Sequence, residues 1–401
     1  MKKILSFLFF VIGISQAQDL IPQMSHQLVL ADEGNGKVHF INTANQSDKW
    51  STTCSNRDLQ LIGNNRIMVS DNNGSGYSEL DLSTGTVIKH VAVTGINNGI
   101  NSSFRLSEDV TFCTQDGSPA KIYKVNAVGK ILETITLSMD ASVRICRPTA
   151  KGTFLLGGKT AGMIYEFDST GKKIWECNAG GEPYMAIRLP DGTTLISNGY
   201  GGQIVRADQK GTIIRKFPTE TDKKSDPEFW SKARPNFFAG FQILRNGNIV
   251  VSNWQGHGTG YGSSGYQLIE IDSAFCKIVA YWKQDALLIS SLHHVLVIDD
   301  LDTKLLYSDR DGFLQPFSNS VSIIPTHPTL HSPQIQNSNS QKRIVLDMLG
   351  RRLAKTSPSV YLVRSMAYHE TSSRHVLLHS IKVETSDFAS GRVIPSIYCG
   401  F

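Results

Sequence analysis

Charge is scarce in this 401-residue chain, with only 19% of positions Asp, Glu, Lys or Arg. A coiled coil, a collagen and a wholly disordered chain are excluded, because the 40% hydrophobic share is enough to build a core. No CxxC pair occurs among Cys54, Cys113, Cys146, Cys177, Cys276 and Cys399, which argues against a thioredoxin-like site or a zinc ribbon. No GxSxG nucleophile elbow is present. No apolar run approaches the roughly 20 residues that cross a bilayer.

Other motifs begin and fail. Gly152 to Thr160 ends GGKT, but a phosphate loop needs Gly at Thr153, and the segment reads strand-turn-strand rather than strand-to-helix. His369-Glu370 and His375 have the wrong spacing for a zinc-protease helix. Asp71, Asn73 and Ser75 copy the first half of a calcium loop, yet Leu82 stands where the bidentate Glu belongs. Those three residues are a weak metal candidate with calcium as the ion; no other cofactor is expected.

The length allows two or three domains or one large all-β domain. Lys2 and Lys3, the eleven-residue stretch Ile4 to Ile14 and the small residues of Ser15-Gln16-Ala17 predict a Sec-type signal peptide at 1–17, cut after Ala17. The expectation is an exported protein. Six cysteines in an oxidising compartment allow about 15 pairings, none of which is assigned; most read equally well as small buried hydrophobes.

From residue 18 to 317 a unit recurs: an alternating strand ending in a small residue, a Gly/Asn/Asp-rich turn, a strand ending in Asp, a Gly-containing turn and a last strand. The clearest copies start at Thr153 and Thr193, weaker ones at Asn65 and Asn248, faint ones at His26 and Val110. Taking the end of the second strand as a mark gives Ala31, Ser70, Cys113, Gly157, Ser197 and Ser252, spaced 39, 43, 44, 40 and 55 residues apart. HHVLVIDD, ending its strand at Ile298, is a candidate seventh. Four short strands per unit of about 40 residues predict an all-β propeller of six to eight four-stranded blades, with seven preferred. The seventh segment is short of strands after Ile298, and a strand from Leu20 to Leu30 would complete it and hide an edge.

Gly162-Met-Ile-Tyr-Glu-Phe-Asp168-Ser-Thr-Gly171-Lys172-Lys-Ile-Trp175 resembles the tryptophan-docking, PQQ-like repeat of quinoprotein-like β-propellers. The resemblance implies that Trp175 packs between blades. Asp81 to Gly85 and Asp208 to Gly211 keep the turn without the Trp, and Tyr281-Trp282 keeps an aromatic where the turn has lost its Gly. It speaks for architecture over about residues 26 to 316 and not for chemistry, and no quinone is expected.

Residues 318–341 contain no Asp, Glu, Lys or Arg and are rich in Ser, Pro and Asn, the composition of a linker. Residues 342–384 alternate around Leu349-Gly350-Arg351 and continue through Val360-Tyr361-Leu362-Val363. With Asp347, Gly350 and Arg351, they resemble the C-terminal sorting domain of the type IX (Por) secretion route, a small β-sandwich-like module. Ser359 replaces the usual Gly, and a tail, 385–401, runs past the usual end. The resemblance implies secretion or display on the outer surface of a Gram-negative-type bacterium, through the secretion machinery as partner; the periplasm is the fallback. An unrelated small β domain is the alternative.

The long step before Ser252 divides between Thr219 to Pro235 and Asn253 to Gly265, both on one propeller face. Asn253, Trp254, His257, Asn198, Tyr200 and Tyr184 are the candidate ligand-binding residues, with His293 a further neighbour: aromatic platforms, an imidazole and close-approach glycines. Turn geometry alone also demands such glycines, and Trp254 would then simply fill the axis. The favoured function is a ligand- or protein-binding module for a carbohydrate, small molecule or protein. The alternative is a sulfotransferase-like or polysaccharide-lyase-like enzyme using His257.

The net charge of +5 invites nucleic acid as a partner. It sits at the chain's two ends, since residues 318–401 hold nine Lys/Arg against four Asp/Glu. The propeller itself holds 29 basic and 31 acidic residues, so no nucleic acid and no transmembrane anchor is expected.

Overall fold

Each repeat folds into one four-stranded antiparallel sheet, and six such sheets form the ring of the computed structural model. It describes residues 21–317 except 46, 48, 72, 73, 98, 108, 140–142 and 159–161, together with Tyr361–Leu362 and Val383–Glu384. The expected signal peptide, linker and tail, Asn73, Cys399 and most of the expected C-terminal module lie outside the described residues. The chain divides into two units, Met1–Ser320 and Val321–Phe401. In the second, Tyr361–Leu362 pairs antiparallel with Val383–Glu384.

The innermost strands, in order around the ring, are Leu292–Val297, Leu59–Gly63, Ile100–Ser107, Val143–Pro148, Met185–Arg188 and Phe237–Ile243. Neighbouring innermost strands touch in that order, and blade six touches blade one. The blade count is six, the lower end of the expected range, not the preferred seven. HHVLVIDD is not a blade of its own: Leu292–Val297 is the inner strand of blade one, whose outer strands are Gln27–Asp32, Lys37–Asn42 and Lys49–Thr53. The faint first copy and the short last copy are two parts of one sheet, joined from Leu28↔Val297 to Asp32↔Leu292. All six register marks fall in the second strand of a blade.

Burial follows from that arrangement. Leu59–Gly63, Phe237–Ile243 and Leu292–Val297 are buried at every position because neighbouring blades cover both faces. Outermost strands such as Val87–Ala92 and Lys173–Asn178 are mostly exposed. Each fully buried Val, Leu or Ile contributes about 1.5–3 kcal/mol over exposure.

Blades lock through the turn between third and fourth strands. In blade four the Asp168 carboxylate accepts hydrogen bonds from the amides of Thr170 and Lys172, and Gly171 takes φ 85°. A side chain at Gly171 would come within 2.1 Å of the Thr136 carbonyl, on the outer strand of blade three, whose neighbour Ser138 donates its amide to Gly171. The turn is thus a blade-to-blade contact. Trp50 does the same between blades one and two, its indole donating to the Leu82 carbonyl at 2.8 Å. Trp175 packs against the core between blades four and five, with the Arg188 guanidinium 4.5 Å above its ring.

Two additions depart from the repeat. Residues 219–235, between blades five and six, form the helices Glu220–Ser225 and Pro227–Ala233. Thr219 and Asp222 make a capping box for the first, and Asp226 with Pro227 starts the second, which buries Phe229 and Trp230. Residues 299–317 cross one end of the central channel and bury Tyr307 and Leu314. Cys113, Cys146 and Cys177 are buried free thiols; among the described residues no disulfide forms.

A histidine stands at the seam. His26, before blade one's second strand, bonds to Asp299 and lies 3.2 Å from Glu270 of blade six. Burial opposes its charge, but the bonds and attraction of the two carboxylates prevail and raise its pKa from 6.5 to about 9. A raised folded-state pKa means stabilisation that is complete below about 6.5 and lost as pH climbs through about 9. His26→Gln should therefore lower urea stability near pH 6 by up to about 3 kcal/mol and have little effect near pH 10. An equal loss at both pH values would contradict this.

Candidate binding face

All six innermost strands run in one sense, so their first residues share one mouth of the channel. The turns between second and third strands and the connections between blades open on that same face. It gathers Glu33 from blade one, Arg57 at the threshold of blade two, Arg144 in blade four, Tyr184 and Tyr200 of blade five, and Phe237, Trp254 and His257 of blade six.

The aromatic residues form a wall. Phe237 meets Tyr200, Tyr184 and Trp254 edge-to-face at 4.8, 5.5 and 5.6 Å between ring centres. Tyr200 is 55% exposed, whereas Trp254 is only 6% exposed. Trp254 ends the second strand of blade six, paired with Phe237 of the innermost strand. Its indole donates to Glu33 Oε2 at 3.0 Å, while Glu33 Oε1 lies 2.7 Å from His257 Nδ1. One carboxylate of blade one therefore orients two blade-six side chains. The His257 ring stands edge-on to Trp254 at 4.7 Å and its side chain is 79% exposed.

Deeper in, Tyr184 stacks on His293 at 5.9 Å. His293 Nδ1 is 3.4 Å from the Asn56 carbonyl, which sets Arg57 beside it, and the Tyr184 carbonyl accepts from the Ile145 amide, which sets Arg144 beside Tyr184. Burial, reinforced by the Arg57 charge, holds His293 well below the usual histidine range, so the ring is neutral near pH 7. Burial pushes the Tyr184 hydroxyl up to about 12, and its oxygen has no partner among the described residues. Arg57 Nε and Ser291 Oγ are likewise buried without a partner there.

Two expected ligand residues prove to be scaffold. Asn253 is wholly buried; its amide donates to the carbonyls of Ala233, Arg234 and Tyr266 and accepts from the Asn236 amide at 2.9 Å. It ties the helical insertion to blade six. Asn198 is buried too, its oxygen accepting from the Gln203 amide at 2.9 Å across the turn that carries Tyr200. Asp71 and Ser75 sit in the turn of blade two, where Asp71 takes backbone bonds to Gly74 and Gly76. Among the described residues, no group of three or more His, Cys, Asp or Glu converges for a metal.

Sequence reasoning missed Glu33, Arg57 and Arg144. Glu33 is 224 residues from His257, so nothing local pairs them. Arg57 and Arg144 carry a signal only once the innermost strands Leu59–Gly63 and Val143–Pro148 are known to line a channel.

The opposite mouth is closed. Gln60 Nε2 donates to the Tyr307 carbonyl at 2.8 Å, and Arg147 bridges Asp58 at 2.7 Å and Asp309 at 2.8 Å. The Arg147 charge outweighs burial to hold Asp58 low, while burial pushes Asp309 up. A cavity of about 20 Å³ beside His294 has room for roughly one water. A cleft of about 370 Å³ lies outside the axis, between blades two and three, where Glu79 pairs with both Arg66 and Arg105.

No protein-family model matches this chain, and no curated protein matches it. Among solved structures it is similar to a protein of unknown function from Bacteroides caccae, at TM-score 0.56 and 19% identity over 68% of this chain and 98% of that one. A streptogramin B lyase structure aligns at TM-score 0.43 and 16% identity, over 66% of this chain and 85% of that one. The WD40 β-propeller domain of Doa1 aligns at 0.46 and 13%, over 70% and 85%. At these identities the first shows the fold and the other two carry no functional argument.

Removing the unpaired Tyr184 hydroxyl spares a desolvation cost of about 1–3 kcal/mol. Tyr184→Phe should melt at or a few degrees above the parent in calorimetry. A lower Tm would show that the hydroxyl has a partner.

Proposed function

We propose that the protein is a binding propeller that holds a carbohydrate, small molecule or protein segment at the face where its innermost strands begin, without turnover. One observation carries this reading: an aromatic wall with exposed Tyr200 borders an axial mouth lined by polar groups, while the other mouth is filled by the chain itself. Apolar ring faces beside converging donors suit a ligand with one apolar and one polar side. Saturation-transfer NMR against a saccharide panel should detect a ligand, and Tyr200→Ala should weaken it at least about tenfold, the scale of one lost aromatic contact. A ligand indifferent to Tyr200 would place binding elsewhere.

The enzymatic alternative rests on His257, since a carboxylate at 2.7 Å from Nδ1 orients an imidazole as a general base. Its ring lies in solvent with no nucleophile beside it among the described residues, which favours binding. Turnover of an aryl sulfate or polysaccharide that disappears in His257→Ala would reverse that preference.

The ends of the chain supply the setting. In this reading the propeller leaves the cytoplasm through the signal peptide at 1–17, and residues 342–384 act as a type IX-like sorting module that delivers it to the surface. The PQQ-like repeat is then an architectural likeness only. Deleting Lys342 onward should leave the propeller folded and retained in the periplasm; unchanged surface delivery of the truncated form would remove the sorting role.

A further inference from the structure

The rim explains an apolar contact but not the polar atoms beneath it. Tyr184 is 1% exposed, yet its hydroxyl has no partner among the described residues, and the same holds for Arg57 Nε and Ser291 Oγ. Buried polar groups are nearly always bonded, and unmatched ones in a native chain mark a place where something else completes the bonding. All three precede or open innermost strands at one mouth, next to the aromatic wall. Two are hydroxyls able to donate and the third is a guanidinium N–H, so these three call for an acceptor, while the unmatched Asn56 Oδ1 beside Arg57 calls for a donor such as a sugar hydroxyl. Arg144 adds a second guanidinium whose charge is felt at the Tyr184 hydroxyl.

Carboxylates are also near, and they set limits. Glu33 is taken up by Trp254 and His257, and Asp116 accepts from Asn101 at 2.6 Å. Asp58 is held by both terminal nitrogens of Arg147. Burial and the nearby Arg57 charge hold Arg144 below the usual arginine range, against the pull of Asp116 and Glu182, so Arg144 shares its attraction with protein groups. Arg57 Nε has no hydrogen-bond partner among the described residues, which makes Arg57 the better placed cation. In the cleft between blades two and three, by contrast, Arg66 and Arg105 already share Glu79.

We infer that the axial mouth takes the anionic group of an acidic sugar, bound by Arg57 with help from Tyr184 and Arg144, while the sugar ring rests on the Tyr200 wall. This rests on the binding-face reading and names the ligand class for it. An oxyanion offers several lone pairs to a guanidinium and two hydroxyls at once, which a neutral sugar hydroxyl cannot.

The test compares D-glucuronate, D-glucose 6-sulfate and D-glucose by calorimetric titration on the full chain. Glucuronate should bind at least tenfold more tightly than glucose and lose that advantage in added salt and in Arg57→Gln. The sulfate separates the two anion types: binding equal to glucuronate means a general oxyanion seat, and weaker binding means a seat shaped for a planar carboxylate. Tyr184→Phe removes one oxygen from a packed ring, so it should weaken glucuronate several-fold with no loss of Tm. Glucose binding as well as glucuronate, or glucuronate indifferent to Arg57→Gln, overturns the inference. If glucose binding then still depends on Tyr200, the binding face survives without its anion seat. If none of the three probes binds, the acidic-sugar class is wrong, and the face is left to a different occupant.

Discussion

Blade one is assembled from both ends of the propeller segment, and the rest of the ring depends on that pairing. Strand Leu292–Val297 reaches the channel only after five blades have been laid down, and its outer neighbour Gln27–Asp32 was made first. Until they meet, one sheet lacks its inner strand and blade six lacks a neighbour. The fit is tight: a Cβ on Gly240 of blade six would lie 1.8 Å from the His294 ring. Residues 22–24 then cross to blade six, where the Tyr281 amide donates to Pro22 and the Met24 amide to Tyr281, covering its outer edge. Pairing of this sequence separation carries a loop-closure cost that the contacts of the closed ring must offset.

The seam also positions the rim. Glu33 follows immediately on the closing strand and reaches Trp254 and His257 on the other side. The long turn of blade six lies over the same junction: Ser290 Oγ donates to the Gly258 carbonyl, and Gly262 packs against the Ser290 carbonyl with no room for a side chain. The extra length of that blade is therefore part of closure as well as of the rim. Geometry at Trp254 and His257 is inherited from a contact that exists only in the closed ring.

Much of the fold was legible because the repeat prints its register in the sequence. Small residues at Ser70, Cys113, Gly157, Ser197 and Ser252 mark one strand in five blades, and turns ending in Gly85, Gly129, Gly171 and Gly211 mark where blades two to five each meet the one before. The blade count was misread at the one place where the repeat is split, because a sheet shared between two termini looks like two partial repeats. Blade six shows the other limit. Its turn keeps the Asp272 carboxylate, which accepts from the Cys276 and Lys277 amides, while Phe275 replaces the Gly at φ 60°. Phe275 is buried, and its carbonyl accepts from Arg215 of blade five, so packing bears a conformation that propensity alone would reject.

The face was legible in kind rather than in detail. Trp254, His257, Tyr200 and Tyr184 do lie together, because loop length and residue type point to one rim. Asn253 and Asn198 were misassigned since a polar residue in a turn can serve the backbone as readily as a ligand, and only burial decides which. The arginines were hidden for the opposite reason: innermost strands read as apolar core, and a charge within one is informative only once the channel is known. Arg147 and Arg57 show the difference that position makes. Arg147 lies inside the channel and spends its guanidinium on Asp58 and Asp309, which locks the closed end. Arg57 stands at the open end, where its Nε has no such partner among the described residues. A ring closed at one mouth by its own ion pairs, with Arg57 Nε and the Tyr184 and Ser291 hydroxyls unmatched at the other, has one open direction from which an acceptor can reach those three groups.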